Sequence, residues 1–177
     1  MPKESAGILM YKIKENSSGR DKKEIQVFLV HPGGPFWKNK DLGAWSIPKG
    51  EIEEEDKKTD ISGKERAIKE IYEETGVKIP EDSELFYIGK IKQKAGKIVH
   101  CWAVEDIGDF WIGFFKKQSF IEVPFPGYEN SGKTLKVPEI DKAQYFGLEE
   151  AHQKINPAQR DFLYKIEEKI KNSDKDN

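Results

Sequence analysis

Residues 50–77 read GEIEEEDKKTDISGKERAIKEIYEETGV, and the last nine of them, KEIYEETGV at 69–77, decide how the chain is built. Positions i, i+3 and i+4 of a helix share one face. Glu70, Glu73 and Glu74 therefore project together, while Ala67, Ile68 and Ile71 lie on an adjacent side that can meet a core. Like-charged pairs at this spacing cost an isolated helix about 0.2–0.5 kcal/mol each. A hard divalent cation removes that cost, because carboxylate oxygens suit Mg²⁺, Mn²⁺ and Ca²⁺. Gly76 reads as the helix stop, since glycine takes a left-handed conformation without strain. Glutamates also populate solvated helix faces, so the trio gains its meaning from its surroundings. Before it stand a strand-like Ala44-Trp45-Ser46-Ile47 and then Pro48-Lys49-Gly50; behind it stands Gly76-Val77.

With those residues in place, the stretch resembles the Nudix hydrolase signature, G-x5-E-x7-R-E-U-x-E-E-x-G-U, where U is a bulky aliphatic residue. Gly50, Glu70, Ile71, Glu73, Glu74, Gly76 and Val77 fit it as they stand. Two features depart from it. Lys69 occupies the arginine position, keeping the charge but losing the planar bidentate fork. Gly50 to Lys69 is 19 steps where the signature has 14, so five residues are inserted. Counting forward from Gly50 puts the signature's helix-capping glutamate at Asp56, with Glu55 beside it; counting back from Lys69 puts it at Ile61. The insert is expected within 54–63, as an enlarged loop before the helix, which costs little closure entropy.

The resemblance runs beyond the box, across residues 5–170. The phrases Ser5-Ala6-Gly7, His31-Pro-Gly-Gly-Pro-Phe-Trp37 and Trp45-Ser-Ile-Pro-Lys-Gly50 are similar to those of a bacterial Nudix branch regarded as NTP pyrophosphohydrolases. Strands are expected at 5–14, 24–31, 85–93, 97–105 and 120–123, the third and fourth forming a hairpin about a tight 94–97 turn. By alternation Ile98, His100, Trp102 and Val104 share one side of their strand, and Lys97, Val99, Cys101 and Ala103 the other. Residues 16–23 read as a polar turn, 106–118 as a variable connection, and 124–137 as a long loop near the site mouth. A strand closing on Tyr145-Phe146 runs into a Gly-Leu-Glu-Glu-Ala helix start at 147–151. The closing helix spans 156–171, with Asn156 as cap, Pro157 in the first turn, and Phe162, Leu163, Ile166 and Ile170 as its apolar stripe.

The fold class expected is α+β: an α/β/α sandwich with a mixed, curved β-sheet between helices and a C-terminal helix. Residues 1–171 are expected to form a single domain and 172–177 a polar tail. Hydrophobic residues at 36%, with ten Phe, six Tyr and four Trp, suffice for one core. A net charge of -2 gives no electrostatic reason to expect duplex nucleic acid as a partner. No apolar run reaches the roughly 18 residues of a membrane helix, and the N-terminus lacks the pattern of a signal peptide. One cysteine, Cys101, allows no intrachain disulfide and reads as a core residue, so a cytoplasmic location is expected.

The resemblance implies metal-dependent hydrolysis of a phosphoanhydride bond in a nucleoside diphosphate derivative, a dinucleoside polyphosphate ahead of a simple NTP. Its metal set would be the Gly50 carbonyl, Glu70, Glu73, Glu74 and Glu139, with Asp141 the rival of Glu139, binding Mg²⁺ or Mn²⁺. Glu70, Glu73 and Glu74 would also be the catalytic carboxylates, Glu70 serving as base. Lys49 and Lys97 would contact phosphates, while Trp37 or His100 would meet the base; each has a bland reading as a solvated lysine, a core-edge aromatic or a strand histidine. The alternative is a non-catalytic Nudix-fold nucleotide sensor, supported by Lys69 and the insert. The oligomeric state is not expressed in the sequence.

Overall fold

Seven apolar or small residues in succession, Ser5–Tyr11, are all buried, which requires a strand covered on both faces. That strand, β1 (Glu4–Lys14), is the centre of a computed structural model describing residues 2–15, 23–58, 62–111, 113 and 119–176. The other elements are β2 (Glu24–Pro32), β3 (Lys49–Glu51), α1 (Glu54–Lys58), α2 (Gly63–Thr75), β4 (Leu85–Lys92), β5 (Ile98–Glu105), β6 (Phe120–Pro124), β7 (Thr134–Pro138), β8 (Ile140–Gly147), α3 (Leu148–Lys154) and α4 (Arg160–Ser173). The main sheet has the order β4-β5-β1-β2-β8, with β3 pairing the first half of β1. It is mixed: β1 runs parallel to β5 and antiparallel to β2 and β3.

The two sheet faces carry separate apolar clusters. Ala6, Ile8, Met10, Phe28 and Val30 pack against Ala67 and Ile71 of α2. Leu9, Val27, Leu29, Cys101 and Ala103 pack against Phe162, Leu163, Ile166 and Ile170 of α4. Helices thus cover both faces, as the α/β/α reading expects. The β5 alternation also holds, with Val99, Cys101 and Ala103 on the α4 side and Trp102 and Val104 on the α2 side. Burial pushes the Cys101 thiol far above its ordinary range, so it is an inert core residue.

Three expectations need correction. Residues 124–137 are not all loop: Thr134–Pro138 is a strand that pairs with β6 in a separate two-stranded sheet. Its polar–apolar alternation was masked by the Gly, Pro, Asn and Ser around it. Residues 44–47 make only isolated bridges, Val30 with Ser46 and Trp45 with Ile155. There the buried Gln159 side chain stands in for a neighbouring strand, accepting from the Ile47 N–H at 3.0 Å and donating to Ser46 Oγ at 3.1 Å. The closing helix proper begins at Arg160 after a 3₁₀ turn at Pro157–Gln159, capped by Asn156, and extends to Ser173 within the expected tail. The 16–23 turn lies outside the described residues except for Lys23, as do residues 112 and 114–118 of the 106–118 connection and Ile61.

Candidate active site

Helix α2 starts where its sequence supplies a capping box: Ser62 Oγ accepts from Glu65 N–H, and the Glu65 carboxylate accepts from Ser62 N–H. It ends at Gly76, in the left-handed region at φ 76°. Between these stops Ala67 and Ile71 are fully buried, which fixes the rotation of the helix and turns Glu70 and Glu74 towards β3.

Gly50 lies beneath them. A Cβ placed there would stand 1.9 Å from the Glu70 carboxyl carbon, so only glycine leaves room for that carboxylate against the β3 backbone. Gly50→Ala should therefore expel Glu70 and cost at least tenfold in divalent-cation affinity, with the fold largely kept. Calorimetric titration with Mn²⁺ measures this; unchanged affinity would contradict it. Next to Gly50, the Lys49 N–H donates to Glu74 Oε2 at 3.2 Å.

The carboxylates sit in an unfavourable field. Glu70 is raised above its ordinary range first by burial, then by Glu73 and Glu139, against the pull of Arg66. Glu74 is raised well above it by burial and by Glu139, with Lys49 opposing. Burial also raises Glu139, against Lys49. Lys49 itself is lowered, by burial and then by Lys97, which stands close enough for the two charges to repel. Glu139 follows β7, and its N–H donates to Ser119 O at 2.8 Å; the Ser119 hydroxyl in turn donates to Glu73 O at 3.3 Å. Asp141, its rival, is engaged elsewhere, 2.7 Å from His31 Nδ1.

Glu70, Glu73, Glu74, Glu139, Gly50, Lys49 and Lys97 are therefore brought together. His100 stands nearby: Ala6 has Gly50 opposite it on one side and His100 on the other. Two strand spacings make that about 10 Å, on the same sheet face. Its Nδ1 is 2.9 Å from Tyr87 Oη, and its Nε2 is 3.4 Å from Glu4. Trp37 is not brought in, because it packs against the cluster on the opposite, α4-covered face.

Two further residues border the site: Arg66, not singled out from the sequence, and Asp56, the forward-count position. Arg66 is buried and lies 2.5 Å from Glu70 Oε1, 3.3 Å from Glu53 and 3.5 Å from Asp56. Asp56 is also buried and accepts from the Glu53 N–H at 2.9 Å. Arg66 thus sets a guanidinium against Glu70 from the helical turn before Lys69. Lys69 points outward, with Glu73 3.9 Å away. The i, i+4 spacing of Arg66 and Glu70 was the available signal. The forward count to Asp56 lands on a buried carboxylate, and it lies in helix α1, so residues 54–58 are helical where an enlarged loop was expected.

Four carboxylates and a backbone carbonyl form an all-oxygen donor set suited to Mg²⁺ or Mn²⁺, over a glycine cradle that a Cβ would fill. Among the described residues no three such groups are drawn into one ligand shell. Glu70 is instead paired with Arg66. The chemistry of the set fits a hard dication. A pH dependence follows. In the folded chain Glu74 and Glu70 bind protons more tightly than when unfolded, so metal-free stability should fall as pH rises above about 4.3. Mg²⁺ or Mn²⁺ should restore it at pH 8. Melting curves with EDTA between pH 5 and 8 check the slope; a flat or rising profile would contradict it.

No protein-family model matches the chain, and no curated protein matches it either. Solved structures do. A mutT/nudix family protein from Listeria innocua aligns over 98% of this chain and 97% of its own, with 16% identity and a TM-score of 0.62. The NUDIX domain of Shewanella oneidensis NrtR, complexed with ADP ribose, aligns over 96% and 89% with 11% identity and a TM-score of 0.58. A C. elegans Ap4A hydrolase binary complex aligns over 95% and 98% with 18% identity and a TM-score of 0.55. The chain has the Nudix fold. Among the described residues no helix is long and apolar enough to cross a membrane.

Proposed function

We propose that the chain is a divalent-metal-dependent hydrolase of a phosphoanhydride bond in a nucleotide, with a dinucleoside polyphosphate as substrate ahead of a simple NTP. One observation carries this reading: Glu70 lies against Gly50, with Glu74 and Glu139 near enough for their charges to act on the same site, and burial aided by a neighbouring glutamate raises each of the three. A fold gains no stability from such a cluster, and a dication bound to a phosphate chain relieves it.

Gly50, Glu70, Glu73, Glu74 and Glu139 would hold Mg²⁺ or Mn²⁺. Bound there, the metal would neutralise the phosphate oxygens and acidify a water. Water adds to phosphorus, and the bridging P–O bond breaks with its electron pair leaving on the departing phosphate. The water's proton passes to a carboxylate, for which we favour Glu70; burial raises its affinity for protons above that of an ordinary glutamate. Lys49 and Lys97 face the phosphate charge. His100, with Tyr87 and Trp102 against it, offers rings for a base to stack on. The sensor reading rests on Lys69 and the insert; Arg66 beside Glu70 supplies the guanidinium that Lys69 lacks, which favours the hydrolase.

The test is product release from NTPs, diadenosine polyphosphates, ADP-ribose and NADH, with Mg²⁺ or Mn²⁺ and with EDTA. ATP plus AMP from diadenosine tetraphosphate, abolished by EDTA, is the expected result. Tight nucleotide binding without turnover of any of them would instead support the sensor.

A further inference from the structure

The β2–β8 ladder slips at the candidate site. His31 pairs with Lys142, but Pro32 pairs with Ile140, so Asp141 is the extra residue of a β-bulge. Its carboxylate is caught by a buried neighbour: His31, 1% exposed, has Nδ1 2.7 Å from Asp141 Oδ1 and Nε2 2.6 Å from the Lys40 carbonyl. Both ring nitrogens are thus engaged, one by the bulged residue's carboxylate and the other by the loop backbone. The ring is set edge-on against Trp45 at 5.2 Å, which leaves it little freedom.

A one-residue slip sends every following side chain to the opposite face of the sheet. Glu139 lies just beyond the bulge, where the chain is retied by Gly33 N–H donating to Glu139 O at 2.9 Å. Its direction towards Glu74 and Glu70 therefore depends on the bulge keeping its register. We infer that His31 is a positioning residue for Glu139: by bridging Asp141 and Lys40 it locks the bulge that aims Glu139 into the carboxylate cluster. This rests on the proposed place of Glu139 among the metal-holding residues. It also gives the Pro-Gly-Gly loop after His31 a mechanical role, because the Lys40 contact closes that loop onto the bulge.

Manganese affinity of the full chain, measured calorimetrically, tests it. His31→Leu and Asp141→Ala should each weaken Mn²⁺ binding by about tenfold, the usual range for residues that orient a ligand. Asp141 is partly solvent-facing, so its variant keeps the experiment usable should His31→Leu not fold. Melting curves identify the folded samples. In a Glu139→Gln background neither substitution should cause further loss, since both act through Glu139. Losses that add fully in that background would assign His31 a general structural role and overturn the inference. Weakening by Glu139→Gln but by neither partner would overturn the positioning alone. No effect of Glu139→Gln would remove the place of Glu139 and the positioning together.

Discussion

Glu74→Gln should cut turnover about a thousandfold and, in the same protein, raise the melting temperature of the metal-free form at neutral pH. The two signs come from one cause. Glu74 is buried beside Glu139 and Glu70, and the nearby Lys49 offsets only part of this. Removing its charge relieves a desolvated, repelling carboxylate, so the empty fold gains. Glutamine keeps an oxygen for the Lys49 N–H, so the β3 contact at 3.2 Å survives. What is lost is the negative charge that a dication and its phosphate chain require. A stabilising substitution that destroys activity is the mark of a functional site held against the preference of the fold. Steady-state kinetics and melting curves on one preparation check both signs. Loss of activity with loss of stability would make Glu74 a structural residue; retained activity would remove it from the site.

Arg66→Ala should be the most damaging single change, destabilising by about 3–5 kcal/mol. Arg66 is buried and answers Glu70 at 2.5 Å, Asp56 at 3.5 Å and Glu53 at 3.3 Å. Its loss leaves the two buried carboxylates, Asp56 and Glu70, without their cation and frees the segment between β3 and α2. Lys69→Ala is the contrasting control, expected within about 0.5 kcal/mol and with nearly unchanged kinetics, because Lys69 is exposed. Urea denaturation compares them directly. Equal, small effects would show that Arg66 is dispensable; a large effect at Lys69 alone would return the signature role to position 69.

Much of the fold was legible because its signals are local. The apolar run in β1, the hairpin turn at 94–96, the Gly76 stop and the Phe162–Ile170 stripe each follow from short-range sterics or periodicity. The helix carboxylates were legible for the same reason, since i, i+3 and i+4 define a face. What stayed hidden depends on pairing across sequence. Strand β7 exists only against β6, and the bulge at Asp141 only against β2. The contact of Asp141 with His31, which sets it apart from Glu139, is encoded in no spacing. The Arg66–Glu70 pair sits one turn before the signature position, where the pattern of the box does not point. Trp37 shows the converse: an aromatic in a glycine-rich loop suggested a ligand, but it packs on the opposite face of the sheet.

The most direct test of the central claim is a calorimetric Mn²⁺ titration at neutral pH of the intact chain beside its Glu74→Gln variant. Saturable binding by the former, lost or weakened at least tenfold in the latter while the variant stays folded, is the predicted result. Absence of binding by the intact chain, or identical affinities, would contradict a metal site at Gly50 and α2.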